Sequence, residues 1–324
     1  MGPLRGGSRR PVPASGGGDI VHALVTGAGG FVGRHLVAHL RSLGDEVTTS
    51  DPASGGPDLL DGDGWRDLLR SVRPDACYHL AAQAAVGASW DDPVGTFRTN
   101  AEGTLHVLAG CAAADVHRVL VVSSADVYGA TRPEDLPLSE TSPLRPVTPY
   151  AASKAAAEQI ALQFHHGHGL GVIRVRPFNH LGPGQDDRFV AAAIARRIAV
   201  AERRGGEEIP VGNLGARRDF SDVRDVVRAY RLAVLDGEPG AVYVVASGRS
   251  VAVSELADHL ISRATTPLRL TVDPALHRPV DVADLVGDPT LLRATTGWTP
   301  DHDLGRTLDD LLEDARRWAA SHGG

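Results

Sequence analysis

Lysine is almost absent from this 324-residue chain. It occurs once, at Lys154, among 33 basic residues. Cysteine is nearly as scarce, with two residues, which excludes a disulfide framework and fits a reducing cytoplasm. No apolar run approaches the length of a membrane span, and no hydrophobic segment marks an N-terminal export signal. Positive charge is not in excess either. The formal net charge is −7, which does not suit generic nucleic-acid or anionic-membrane binding. The lone lysine is informative because every other basic position tolerates arginine. A guanidinium cannot replace a compact ammonium of adjustable pKa, so Lys154 is a candidate site residue before any motif is considered.

What is present is alternation. Residues 1–18 are rich in Gly, Pro and Arg without apolar periodicity and read as a disordered tail. From residue 20 short apolar runs alternate with helical patterns. Strands are expected at 21–25, 46–50, 76–80, 118–122 and 172–175, and helices at 31–43, 65–72, 100–114 and 150–166. This spacing predicts an α/β fold, a Rossmann-type doubly wound parallel sheet covered on both faces. Beyond Pro177 the pattern weakens. Helices are expected at 188–204 and 222–235 and a strand at 242–245, whereas 247–324 reads as short pieces broken by prolines. The expected organisation is a sheet domain over 19–177 and a smaller C-terminal lobe over 178–324, with 220–246 returning to the sheet.

Thr26-Gly27-Ala28-Gly29-Gly30-Phe31-Val32-Gly33 joins the first strand to the first helix. Its G-x-x-G-x-x-G spacing lets the backbone approach a pyrophosphate at a helix N-terminus, so NAD(H) or NADP(H) is the expected cofactor. Asp51 ends the second strand 18 residues after Gly33. A carboxylate there accepts ribose hydroxyls and repels a 2′-phosphate, which favours NAD(H); the alternative is that it only opens the Asp51-Pro52 turn. Tyr150 and Lys154 lie four apart on one helical face. An ammonium beside a phenol lowers the phenol pKa and suits it to proton transfer during hydride transfer. Ser123-Ser124 follows the fourth strand, at the sheet edge where ligands bind. His165, His166 and His168 lack acidic or Cys partners nearby, so no metal site is expected. The four tryptophans read as packing residues, and Arg196, Arg197, Arg203 and Arg204 as a solvated helix face.

The motifs TGAGGFVG, HLAAQ, NAEGT, SSADVYG, YAASK and RPFNHLGPGQ resemble the extended short-chain dehydrogenase/reductase family, in its nucleotide-sugar branch. The segments after residue 176 are most similar to GDP-4-keto-6-deoxy-D-mannose reductases and to reductases of dTDP-4-keto-6-deoxyhexoses. The resemblance implies Tyr150 as proton donor, Lys154 as its tuner and a nicotinamide-ribose ligand, and Ser124 as holder of the sugar C4 oxygen. It implies cofactor contacts at Gly27, Gly30, Phe31, Val32, Asp58, Leu59, Leu80, Ala81, Ala82, Gln83, Asn100 and Pro177. It implies a nucleotide-diphosphate sugar as substrate, touched by Ser124, Asp126, Asn179, Phe189, Val211, Arg218 and Arg278, and a homodimer through the helices after Asn100 and from Tyr150. Related 4,6-dehydratases carry an acid–base pair where this chain has Ala125 and Asp126. Reduction of a 4-ketone is therefore expected over water elimination, with a 4-epimerase or dehydratase holding NAD as the alternative and a dinucleotide-binding protein without turnover as a third.

Overall fold

The computed structural model describes residues 21–276 and 284–322. Six strands form one all-parallel sheet: β1 (His22–Thr26), β2 (Glu46–Ser50), β3 (Ala76–His79), β4 (Arg118–Val122), β5 (Val172–Pro177) and β9 (Val242–Val245), in the order β2-β1-β3-β4-β5-β9. Strands buried on both faces need continuous apolar runs, and Ala23, Leu24 and Val25, or Val119, Leu120 and Val121, supply them. Helices α1 (Phe31–Ser42) and α8 (Val223–Asp236) cover one face and enclose a core of Leu36, Leu40, Val226 and Tyr230 against the sheet. Helices α2 (Gly62–Val72), α5 (Gly103–Ala113) and α6 (Pro149–His168) cover the other, around Trp65, Leu69, Val107 and Phe164.

The region expected as one helix from Asn100 to Ala114 is built differently. Two short helices, α3 (Ala88–Asp91) and α4 (Pro93–Phe97), lead into a π-helical turn over Arg98–Glu102, and α5 follows. The turn widens the backbone at Asn100, and such bulges mark functional positions. Of the tryptophans, Trp65 and Trp298 are core residues, but Trp90 on α3 is half exposed and is not a packing residue.

The C-terminal part contains β6 (Asn179–Leu181), α7 (Val190–Arg204), β7 (Glu208–Val211), β8 (Arg217–Asp222), β10 (Ser250–Ala252), α9 (Val253–Ser262), β11 (Arg269–Val272), β12 (Asp284–Leu285), α10 (Thr290–Thr296) and α11 (Leu304–His322). β8 pairs with β6, β10 and β12, and β7 pairs with β11. The expectation of short broken pieces after residue 247 fails at α11. No proline follows Pro300, so 19 residues run unbroken and bury Leu308, Leu311, Leu312, Ala315 and Ala319 against α7 and α9. Arg196 and Arg197 are not a solvated face. Arg196 lies over the Trp318 ring at 4.0 Å and Arg197 donates to the Pro210 carbonyl at 2.5 Å.

Candidate active site

Gly27 has φ +69°, and a Cβ there would sit 2.8 Å from the Ala81 amide nitrogen. A side chain at Gly33 would lie 2.1 Å from the Gly27 carbonyl. Glycine is therefore required for α1 to reach the strand ends, and α1 begins at Gly30 with no side chain capping its free amides. Asp51 Oδ2 accepts the Gly29 N–H at 2.7 Å, which holds the carboxylate against the loop. Asp58 is exposed, and Leu59 packs where Gly103 leaves room on α5. Leu80, Ala81, Ala82 and Gln83 line the partly open segment after β3, and Pro177 ends β5 on the same sheet edge. Buried Gln83 Oε1 and Ser123 Oγ have no hydrogen-bond partner. A glycine cradle, an uncapped helix end and orphaned polar atoms together fit a dinucleotide.

The α6 helix starts where its sequence dictates. Thr148 accepts the Ala151 N–H at 3.0 Å and Pro149 occupies the first turn. Tyr150 in that first turn and Lys154 one turn on are both buried. The Ser124 hydroxyl accepts the Asp126 N–H at 3.1 Å and lowers the pKa of the Tyr150 phenol. The expected acidified phenol is not what this arrangement produces. Burial, reinforced by the Asp126 carboxylate, pushes the Tyr150 pKa up, and only the Ser124 hydrogen bond opposes them. The Lys154 ammonium bears on buried His79.

Burial alone lowers Lys154 from 10.5 to about 8, with no anion to offset it. A folded-state pKa below the unfolded one means that the unfolded chain holds this proton more tightly. Stability contributed here therefore rises with pH between about 8 and 10.5, and the charge costs stability at neutral pH. Replacing Lys154 by Met should raise the stability of the ligand-free protein at pH 7 by about 3 kcal/mol, at 1.36 kcal/mol per pKa unit. Urea unfolding of both proteins checks this, and an unchanged midpoint would refute it.

On the lobe side, Asn179 lies on β6 beside Phe220 of β8, two residues from Arg218. Arg217 binds Ser250, Glu255 and Asp284, and half-buried Arg218 donates to the Arg217 carbonyl at 2.7 Å. Phe189 is exposed at the start of α7. Val211 has its side chain in the lobe core, and its carbonyl accepts the Asp273 N–H at 2.8 Å because β7 pairs with β11 there. Arg278 lies outside the described residues. Among the described residues no three His, Cys, Asp or Glu side chains are grouped to hold a metal ion. Sequence reasoning passed over Thr26, His79, Thr104 and Ser153, although His79 heads the HLAAQ motif.

The chain matches the family model described as GDP-mannose 4,6 dehydratase over residues 56–311. GDP-6-deoxy-D-mannose reductase from Pseudomonas aeruginosa is 39% identical over 292 residues, which is 90% of this chain and 95% of that protein. A structure of RMD from Pseudomonas aeruginosa complexed with NADPH is similar at TM-score 0.84 and 36% identity, over 92% of this chain and 99% of that one. UDP-glucose 4-epimerase from Thermus thermophilus in complex with NAD is similar at TM-score 0.82 and 31% identity, over 91% and 99%. With a Rossmann sheet, a glycine cradle and a Ser124–Tyr150 pair at its edge, this chain belongs to the GDP-mannose 4,6 dehydratase family, within the extended short-chain dehydrogenases/reductases that act on nucleotide sugars.

Proposed function

We propose that this protein reduces the C4 ketone of a nucleotide-diphosphate-linked 4-keto-6-deoxyhexose, GDP- or dTDP-linked, with a nicotinamide cofactor. The observation that carries the reading is buried Tyr150, whose pKa the Ser124 hydroxyl lowers, with Ala125 next to Ser124, whose methyl group cannot protonate a leaving hydroxyl. The reduced nicotinamide supplies hydride when bound. Gly27, Gly30, Phe31, Val32, Asp51 and the segment from Leu80 to Gln83 would hold it, with Lys154 at its ribose. Ser124 orients the ketone oxygen. Tyr150 remains protonated through neutral pH and is therefore a donor to an oxygen that becomes alkoxide. Asn179, Phe189, Arg218 and Arg278 would receive the nucleotide diphosphate, for which the arginine fork is suited. The test is the fall of NAD(P)H absorbance on adding the GDP- or dTDP-linked ketosugar. No oxidation with either would refute the reading. Similarity to a 4-epimerase with NAD, together with Asp126, supports a second reading, a 4-epimerase or dehydratase. Stoichiometry separates them, because those reactions regenerate their cofactor.

NADH is the preferred reductant in this reading, because the Asp51 carboxylate sits at the end of β2 against the loop. Asp51→Ala should erase roughly 10- to 100-fold of preference for NADH over NADPH, the worth of a hydrogen bond to a charged group. Unchanged KM ratios would assign Asp51 to the turn alone. The protein acts as a cytoplasmic homodimer in this reading. Cys77 and Cys111 are free and buried. Trp90, Val94, Phe97 and Leu105 are 51%, 69%, 50% and 41% exposed on neighbouring helices, an apolar face that a second copy would cover. Phe97→Glu should shift the sedimenting mass from dimer to monomer, and a wild-type monomer would refute the dimer.

A further inference from the structure

The polar side chains buried between the glycine-rich loop and α6 form one continuous chain. His79 Nδ1 lies 2.9 Å from Thr26 Oγ1, and Nε2 lies 3.0 Å from Thr104 Oγ1. Thr104 donates its only hydroxyl proton to the Asn100 carbonyl at 2.6 Å. It must therefore accept from His79, which puts the ring proton on Nε2. His79 Nδ1 is then an acceptor, and Thr26 donates to it while accepting the Ala81 N–H at 3.1 Å. A doubly protonated ring would strand the Thr26 proton and set a cation near Lys154. Burial and Lys154 in fact hold the His79 pKa down at about 3.

The chain continues to the catalytic helix. The Asn100 amide clamps the Gln83 backbone, with its oxygen accepting at 2.8 Å and its nitrogen donating at 3.1 Å. Its nitrogen also donates to Ser153 Oγ at 2.8 Å, and Ser153 donates to the Tyr150 carbonyl at 2.7 Å. The π turn places Asn100 within reach of both segments.

We propose that His79 is a positioning residue: as a neutral Nε2–H imidazole it ties the dinucleotide loop, through Thr26, to the Asn100 turn, through Thr104, and so sets the catalytic helix relative to the cofactor. The proposal rests on the reductase reading for its effect on turnover, but not for its effect on binding. It acts through two separable ends. In His79→Asn the amide oxygen stands near Nδ1 and keeps Thr26, while Thr104 is lost. In His79→Gln the amide nitrogen stands near Nε2 and keeps Thr104, while Thr26 is lost.

The experiment has two arms. In ligand-free protein with ¹⁵N-labelled histidine, the signal missing from the His79→Asn spectrum identifies His79 among the 14 histidines. It should show a bare Nδ1 and a protonated Nε2, unchanged from about pH 5 to about pH 8, where an ordinary histidine titrates. The opposite tautomer, or titration in that range, overturns the proposal. Calorimetry and steady-state rates form the second arm. Gln should weaken NADH binding about tenfold with a smaller change in kcat, and Asn should lower kcat about tenfold with NADH binding nearly retained. Equal losses in both variants, or none in either, reduce His79 to core packing. If the tautomer and the NADH affinities come out as stated but no ketosugar is reduced, the reductase reading fails and the tie between loop and turn stands.

Discussion

Turnover by Tyr150→Phe is expected to fall by about 10²- to 10⁴-fold, the usual worth of a positioned proton donor. Phe keeps the ring that fills the buried site and removes one oxygen. The backbone of residue 150 stays anchored, because its N–H donates to Ser89 Oγ at 3.2 Å and its carbonyl accepts from Ser153. Ser124 loses the phenol but still accepts the Asp126 N–H. Stability and NADH affinity should therefore change little while kcat collapses. Single-turnover NADH oxidation, with calorimetric Kd values for both proteins, separates the effects. A variant with wild-type kcat would show that protonation comes from elsewhere, with solvent as the remaining donor. The raised phenol pKa adds a sign. Wild-type activity should not decline between neutral pH and the ordinary tyrosine range through loss of the Tyr150 proton.

The largest expected loss of stability comes from Glu158→Gln. Glu158 lies one turn beyond Lys154 on α6 and is fully buried. It accepts from Arg176 Nη2 at 2.5 Å and Nε at 3.1 Å, and it faces Arg174 Nη1 at 3.5 Å. Arg176 also donates to the Tyr128 hydroxyl at 3.1 Å and the Glu140 carbonyl at 3.0 Å. Removing this buried carboxylate leaves two guanidinium groups in the interior without their counter-charge, a change worth about 3–5 kcal/mol. That is a large share of the roughly 5–15 kcal/mol that holds a typical domain. Guanidinium unfolding should show a lower midpoint at an unchanged slope. The double variant Glu158→Leu/Arg176→Met should recover part of the loss, since it removes one of the two unpaired charges and leaves only Arg174 without its partner. No recovery would mean that the network acts through hydrogen bonds to the Tyr128 turn rather than through charge.

Much of the sheet was legible locally. Buried parallel strands are short apolar runs, so the strands expected at 21–25, 76–80, 118–122 and 172–175 fall on β1, β3, β4 and β5, and the helix expected at 150–166 falls on α6. Asn100 did not, because a π turn has no composition of its own; neighbouring α4 and α5 and the Gln83 backbone impose it. In the lobe, the short strands β6, β10 and β12 exist only as partners of β8, so no local run betrays them. The α11 pattern is present in the sequence, with Leu308, Leu311, Leu312 and Ala315 at helical spacing downstream of the last proline, Pro300.

By itself, the order of residues determined the strands of the Rossmann sheet, the glycine loop and the Tyr150 and Lys154 set, because each depends on neighbours within one turn or one strand, whereas Ser124 came from the family resemblance. The folded chain decided the protonation of that set. Desolvation and charge act through space, so the phenol answers to burial, Asp126 and Ser124, and the ammonium to burial. Burial pushes the Tyr150 phenol up and the Lys154 ammonium down because side chains respond to the medium around them, and only tertiary packing creates that medium.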